Sequence, residues 1–89
     1  MVVETFKNGD AQSVRDRFQQ HGRMMPDGIV YHGSRVDSAR ARCFQLMEAD
    51  NAESLAPWMA NWSDIVDFEV TPVLTSQDYW TQFSSSTKA

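Results

Sequence analysis

Residues 55–70 read LAPWMANWSDIVDFEV, and inside this run the apolar period changes from that of a helix to that of a strand. Leu55, Trp58, Met59 and Trp62 fall at i, i+3, i+4 and i+7, the spacing of one helical face. From Ile65 onward the period is two, with Val66, Phe68 and Val70 alternating with Asp67, Glu69 and Thr71. This predicts a helix over 55–62 and a strand over 65–73. Pro57 lies in the helical part, and proline is accepted there only in a first turn, where no N–H bond is lost. Either Ser54 caps the regular part of the helix or the helix is kinked at Pro57, with Asp50 able to cap a turn before it.

Moving toward the N-terminus, Arg42 to Glu48 reads as a strand, with Phe44 and Leu46 on one face and Cys43, Gln45 and Met47 on the other. The polar run Asp37-Ser38-Ala39-Arg40 is a hairpin connection back to a strand over 29–36. Pro26-Asp27-Gly28 is turn chemistry, since proline presets φ and glycine permits a positive φ. Before it, Ala11, Val14 and Phe18 form the apolar stripe of a helix over 11–21, capped by Asp10 and ended by Gly22. Met1 to Phe6 is a first strand, closed by the turn Asn8-Gly9-Asp10. Toward the C-terminus, Thr75-Ser76-Gln77-Asp78 resembles a capping box, opening a short helix over 76–83 that carries Tyr79, Trp80 and Phe83. A flexible polar tail is expected over 84–89.

The succession β-α-β-β-α-β predicts an α+β, ferredoxin-like domain over 1–83, a four-stranded antiparallel sheet with two helices on one face. The other face then exposes Cys43 and Met47, and an apolar sheet face calls for a partner. Two such sheets packed face to face make a dimeric α/β barrel with a small interior, so a homodimer is expected.

Composition narrows the function classes. The chain has 89 residues, enough for one core, with 42% apolar and 22% charged residues and a net charge of -4. That sign argues against a general partner among nucleic acids or anionic membranes. No apolar run approaches the roughly 20 residues of a membrane span. The opening MVVETF reads as a strand rather than a leader, so a cytoplasmic location is expected. Cys43 is the only cysteine, which excludes an internal disulfide. No metal site is expected, because His21, His32 and Cys43 lack zinc-like spacing. No cofactor is expected, because the glycines match no phosphate-binding motif.

Several residues invite a chemical reading. His21 ends the first helix, where a cation suits the helix dipole. His32 lies on a strand, as a base or ligand of the interior or as a merely structural histidine. Cys43 reads as a buried, inert thiol, and Trp58 and Trp62 as core. Arg15, Arg17 and Arg23 lie near Asp10, Asp16 and Asp27 and read as a solvated mixed-charge face. Alternation allows Glu4, Tyr31, Arg35, Gln45 and Glu69 all to face away from the helices. Such a set either binds a small polar or aromatic molecule or forms a salt-bridge network that fixes dimer geometry.

The runs FKNGD (6–10), GRMMPDG (22–28), RCFQLMEAD (42–50), WMANWSD (58–64) and FEVTPVLTS (68–76) resemble a small bacterial family of uncharacterised proteins, domain of unknown function 3303. The resemblance runs from about Val3 to Ser76, and none of its motifs is a catalytic signature. The family looks like a member of the dimeric α/β-barrel group, which includes small monooxygenases, stress-responsive barrel proteins and ligand-sensing domains. The resemblance thus implies the fold and the dimer and leaves the activity open. One departure is Arg35, where the family pattern often has an aromatic residue, which implies a more polar, positively charged pocket. The function read from all this is a homodimeric barrel that binds a small molecule in a cavity between sheets, at Glu4, Tyr31, His32, Arg35, Gln45 and Glu69. Two alternatives stand beside it: a cofactor-independent monooxygenase or isomerase acting on an aromatic or polyketide-like substrate, and a structural or protein-interaction module with no ligand.

Overall fold

The structure, a computed structural model, describes the backbone of residues 1–88 and side chains as far as Phe83. Its elements are β1 (Val2–Phe6), α1 (Ala11–His21), β2 (Val30–Asp37), β3 (Arg42–Glu48), α2 (Ala56–Ala60), β4 (Val66–Val70) and α3 (Ser76–Lys88), with short 3₁₀ turns at Lys7–Gly9 and Ala52–Leu55. The protein is α+β. Its one four-stranded sheet has the order β2-β3-β1-β4, and every neighbouring pair is antiparallel.

The local signals account for most boundaries. The Asp10 side chain accepts from Ser13 N at 3.1 Å and Ser13 Oγ at 2.6 Å, so it caps α1 as the sequence predicts. Gly22 closes α1 at φ 67°, a backbone state that costs a residue with a Cβ far more. Pro57 does sit in the first turn of α2. The cap, however, is neither Ser54 nor Asp50. Asn51 accepts from Ser54 N at 2.9 Å and Ser54 Oγ at 3.0 Å, opening the 3₁₀ turn that leads into α2. An Asx cap with its donor three residues on is the usual geometry, and Asn51 is placed for it where Asp50 is not. β4 stops at Val70 rather than 73. Thr71 still exchanges bonds with Met1, at 2.8 and 2.9 Å, but Pro72 has no N–H to continue the ladder. α3 runs on to Lys88, past the expected end near 83. The tail expected over 84–89 falls on residues whose side chains lie outside the described set, as does the backbone of Ala89.

The core is built where α2 meets β1 and β4. Val2, Leu55, Trp58, Trp62 and Val66 are buried, with Phe68 edge-on to Trp58 at 5.2 Å between ring centres. Val14 of α1 packs against the same cluster, so α1 and α2 cover one face of the sheet. The bidentate pair from Arg17 to Asp64, at 2.6 and 2.7 Å, and the Arg17 bond to Asn61 O at 2.9 Å tie α1 to the turn after α2.

Strand register decides which residues share the helix-covered face. Val2 opposes Gln45 and Val70, and Glu4 opposes Cys43 and Phe68. Cys43, Gln45 and Met47 therefore lie under the helices, and Phe44 and Leu46 face outward, the reverse of the expected assignment. Burial agrees, with Cys43 and Gln45 buried and Leu46 exposed. The expectation that Glu4, Tyr31, Arg35, Gln45 and Glu69 share the free face is corrected in the same way. Glu4 and Gln45 are on the helix side, and Glu69, opposite Val3, is on the free side. Tyr31 and Arg35 are separated by a bulge between Tyr31 and Gly33, where His32 is the extra residue. One extra residue inverts strand parity, so Tyr31 and Ser34 share the helix side while Arg35 points away.

The molecule exposes 6393 Å², against about 5,300 Å² expected for a compact chain of this mass. Its radius of gyration is 15.6 Å, where a compact chain would have about 12 Å. α3 contributes to the excess, because Tyr79, Trp80 and Phe83 are all more than half exposed. No helix among the described residues is long and apolar enough to cross a membrane.

Trp58 is 1% exposed and Trp62 3%. Replacing either with alanine is expected to cost about 3–5 kcal/mol in urea denaturation, a large share of the roughly 5–15 kcal/mol that holds a domain together. A loss below about 1 kcal/mol would place that indole outside the core.

Candidate functional site

α1 stands off the sheet on the side of β2 and β3 and leaves an open cleft of about 320 Å³. Val14 and Phe18 of α1 form its roof, and Phe6, Val36, Trp58 and Trp62 form apolar walls. Its floor is polar: Glu4 from β1, Ser34 from β2, and Cys43 and Gln45 from β3. Ala11, Arg15 and Arg23 complete the lining.

The floor is a connected set. Glu4 is 6% exposed and Gln45 4%, and Gln45 Nε2 donates to Glu4 Oε1. Gln45 Oε1 is buried with no hydrogen-bond partner. Burial pushes the Glu4 carboxyl above its ordinary pKa, and bonds from Gln45 and Cys43 and the charge of Arg23 pull part of the way back. Burial also raises the Cys43 thiol, with the Glu4 charge adding to it, so Cys43 is held as a protonated thiol. That agrees with an inert cysteine rather than a nucleophile.

Arg23 organises the neighbouring wall. Its backbone carbonyl accepts both core indoles, from Trp58 Nε1 at 3.1 Å and Trp62 Nε1 at 3.2 Å. Its guanidinium lies 3.8 Å over the Tyr31 ring and 5.2 Å from the Phe18 ring, and donates to Tyr31 Oη at 3.2 Å. Tyr31 Oη and Ser34 Oγ are 2.6 Å apart, a contact made possible by the bulge.

From the sequence-predicted set the structure thus brings Glu4 and Gln45 into the cleft, places Tyr31 behind its lining against Arg23 and Ser34, and separates the others. Arg35 is exposed on the free face, bonded to Ser34 O at 2.7 Å, and Glu69 is exposed on the same face. His32 is exposed at the bulge, with Glu48 Oε1 at 3.6 Å, away from the cleft. The mixed-charge reading of the arginines is corrected too. Arg17 pairs with Asp64 across the fold, and Arg23 is half-buried against aromatic rings. The place of Arg23 in the site escapes sequence reasoning; the one available signal is an arginine opening the apolar run Arg23-Met24-Met25. No group of three or more His, Cys, Asp or Glu side chains that could hold a metal gathers among the described residues.

The carboxyls predict opposite pH behaviour. Glu4 has a raised pKa in the fold, so its contribution to stability is present below the ordinary carboxyl value and is lost as pH rises through the raised one. Asp64 is lowered to about 2 by Arg17, so its contribution is present above the ordinary value and is lost as pH falls toward about 2. Thermal melts of Glu4→Gln are expected to gain on wild type as pH rises, and those of Asp64→Asn to gain on wild type as pH falls. A Glu4→Gln difference that stays flat with pH would show an ordinary, solvated carboxyl.

No curated protein and no solved structure matches the chain. A family model described as a domain of unknown function (DUF3303) matches residues 1–85, a span that takes in all four strands, α1, α2 and most of α3. Covering nearly the whole chain, the match shows that this protein belongs to that family.

Proposed function

We propose that this protein binds a small molecule in the cleft beneath α1, and that it does so as a homodimer. The cleft itself carries the first half: apolar aromatic walls around a few convergent, buried polar groups is the usual make-up of a ligand site. The cavity of this reading lies between α1 and the sheet of one chain rather than between two sheets. Glu4 and Gln45 take the ligand-binding role, with Arg23 added to them and Tyr31 holding Arg23 and Ser34 in place from behind the lining.

Arg35 and Glu69 take the other role weighed for the set, that of fixing a dimer. Across the free face, Arg35, Phe44, Val3 and Glu69 stand opposite one another in one row over all four strands. The row is basic at one edge, acidic at the other and apolar between. A two-fold copy laid on this face brings the basic edge of one chain to the acidic edge of the other. The central strand β3 also turns Phe44 and Leu46 outward, an unusual use of its larger apolar residues unless that face is covered. The element succession with strand order β2-β3-β1-β4 supports a ferredoxin-like split β-α-β over 1–83, and the face-to-face pairing makes it a dimeric α/β barrel. The lone Cys43 thiol fits a reducing compartment, and we place the protein in the cytoplasm.

One observation favours a second reading, a cofactor-independent isomerase or oxygenase. A carboxyl with raised pKa in an apolar cleft is suited to moving a proton.

Two measurements test the proposal. A panel of chemically diverse fragments is expected to shift the Trp58 and Trp62 indole N–H signals in nuclear magnetic resonance, and a panel that shifts neither refutes the ligand site. Equilibrium sedimentation at tens of micromolar is expected to give a dimer, lost in Leu46→Asp because an unpaired carboxylate enters a dry contact. Arg35→Glu is expected to weaken it, and adding Glu69→Arg to restore it. A monomeric wild type refutes the dimer and leaves the cleft reading standing.

A further inference from the structure

The cleft floor holds an acceptor that the fold does not use. Gln45 is 4% exposed, its Nε2 is spent on Glu4, and its buried Oε1 has no partner. Buried polar atoms in folded proteins are nearly always paired, so an orphan acceptor in a cleft marks the place of a donor from outside the fold. Glu4 sets the direction. A carboxylate accepts only, so the amide nitrogen turns to it and the amide oxygen is left for another group.

The rest of the lining restricts what carries that donor. Phe18 and Phe6 offer aromatic surface, with the buried indoles of Trp58 and Trp62 packed behind. At about 320 Å³ the cleft is about twice the ~150 Å³ cavity that holds benzene, room for one substituted ring. An anion on the floor finds little to meet it: the Arg23 guanidinium is already spread over Tyr31 and bonded to its hydroxyl, and Arg15, the other arginine of the lining, is solvent-exposed. An anion would also lie beside the Glu4 carboxylate.

We propose that the cleft takes a neutral single-ring aromatic molecule with a hydroxyl donor, a phenol, its ring against Phe18 and Phe6 and its O–H donated to Gln45 Oε1. The assignment rests on the cleft being a small-molecule site, as proposed above. Burial of the Glu4 carboxyl fits it, since a neutral ligand adds no further charge to a site that already disfavours one.

Phenol, anisole and benzoate, titrated separately into the full chain and followed at the two indole N–H signals, form the test. Phenol is expected to bind about tenfold more tightly than anisole, which lacks only the donor; that factor is what one good neutral hydrogen bond contributes. Gln45→Met is expected to bring the two to near parity, by weakening phenol more than anisole. Glu4→Gln, which keeps an acceptor for Gln45 Nε2, is expected to preserve the preference. If Gln45→Met does not fold, the wild-type comparison alone decides. Equal binding of phenol and anisole, or tighter binding of benzoate, overturns this inference and leaves the ligand site intact. Failure of all three probes, while other fragments shift the indoles, also overturns it alone. If no fragment of any kind shifts them, the ligand site falls with it.

Discussion

The backbone carbonyl of Arg23 accepts the N–H of both core tryptophans, and most of the fold's functional geometry follows from that junction. A buried indole needs a partner for its nitrogen. Trp58 and Trp62, one helical turn apart, find the same one. The connector between α1 and β2 is thereby pinned against α2, and the Arg23 side chain has one direction to go, across Tyr31. Tyr31 in turn meets Ser34 because of the bulge at His32. The wall of the cleft is thus an extension of the core.

The two faces of the sheet divide the work. Under the helices, the buried pair Glu4 and Gln45 occupies positions where an apolar pair would pack more cheaply. Burying a carboxyl and leaving an amide oxygen unpaired both oppose folding, and a small domain has little stability to set against them. Such a cost is characteristic of a site rather than of a core. On the free face the exception is of the opposite kind, with apolar Val3, Phe44 and Leu46 standing among charges. The first departure points to a ligand and the second to a covering surface.

How much of this was legible in the chain depended on whether the deciding interaction was local. The Asp10 cap, the Gly22 stop, the placement of Pro57 and the assignment of Trp58 and Trp62 to the core all follow from neighbours within a turn or two, and all hold. The cap of the turn before α2 is not legible to the residue, because Asp50, Asn51 and Ser54 carry the same chemistry and only Asn51 accepts the bond. The candidate site was legible in its members but not in its arrangement: Glu4 and Gln45 gather with Tyr31 behind the lining, while Arg35 and Glu69 do not.

The sequence by itself determined the elements, because a period of 3.6 or 2, a cap or a proline acts through the backbone within a few residues. Only the tertiary structure decided which face of each strand is inside. In β3 the larger apolar residues, Phe44 and Leu46, argue for one face, yet pairing with Val2 and Glu4 puts Cys43 and Gln45 on the inner one. Strand parity is a single binary choice, set by register with neighbours distant in sequence and reversed by one bulged residue. Arg23 is the same case in a connector: its place before Met24 and Met25 is the one local mark it carries, and its role exists because two indoles from residues about forty positions away converge on its carbonyl.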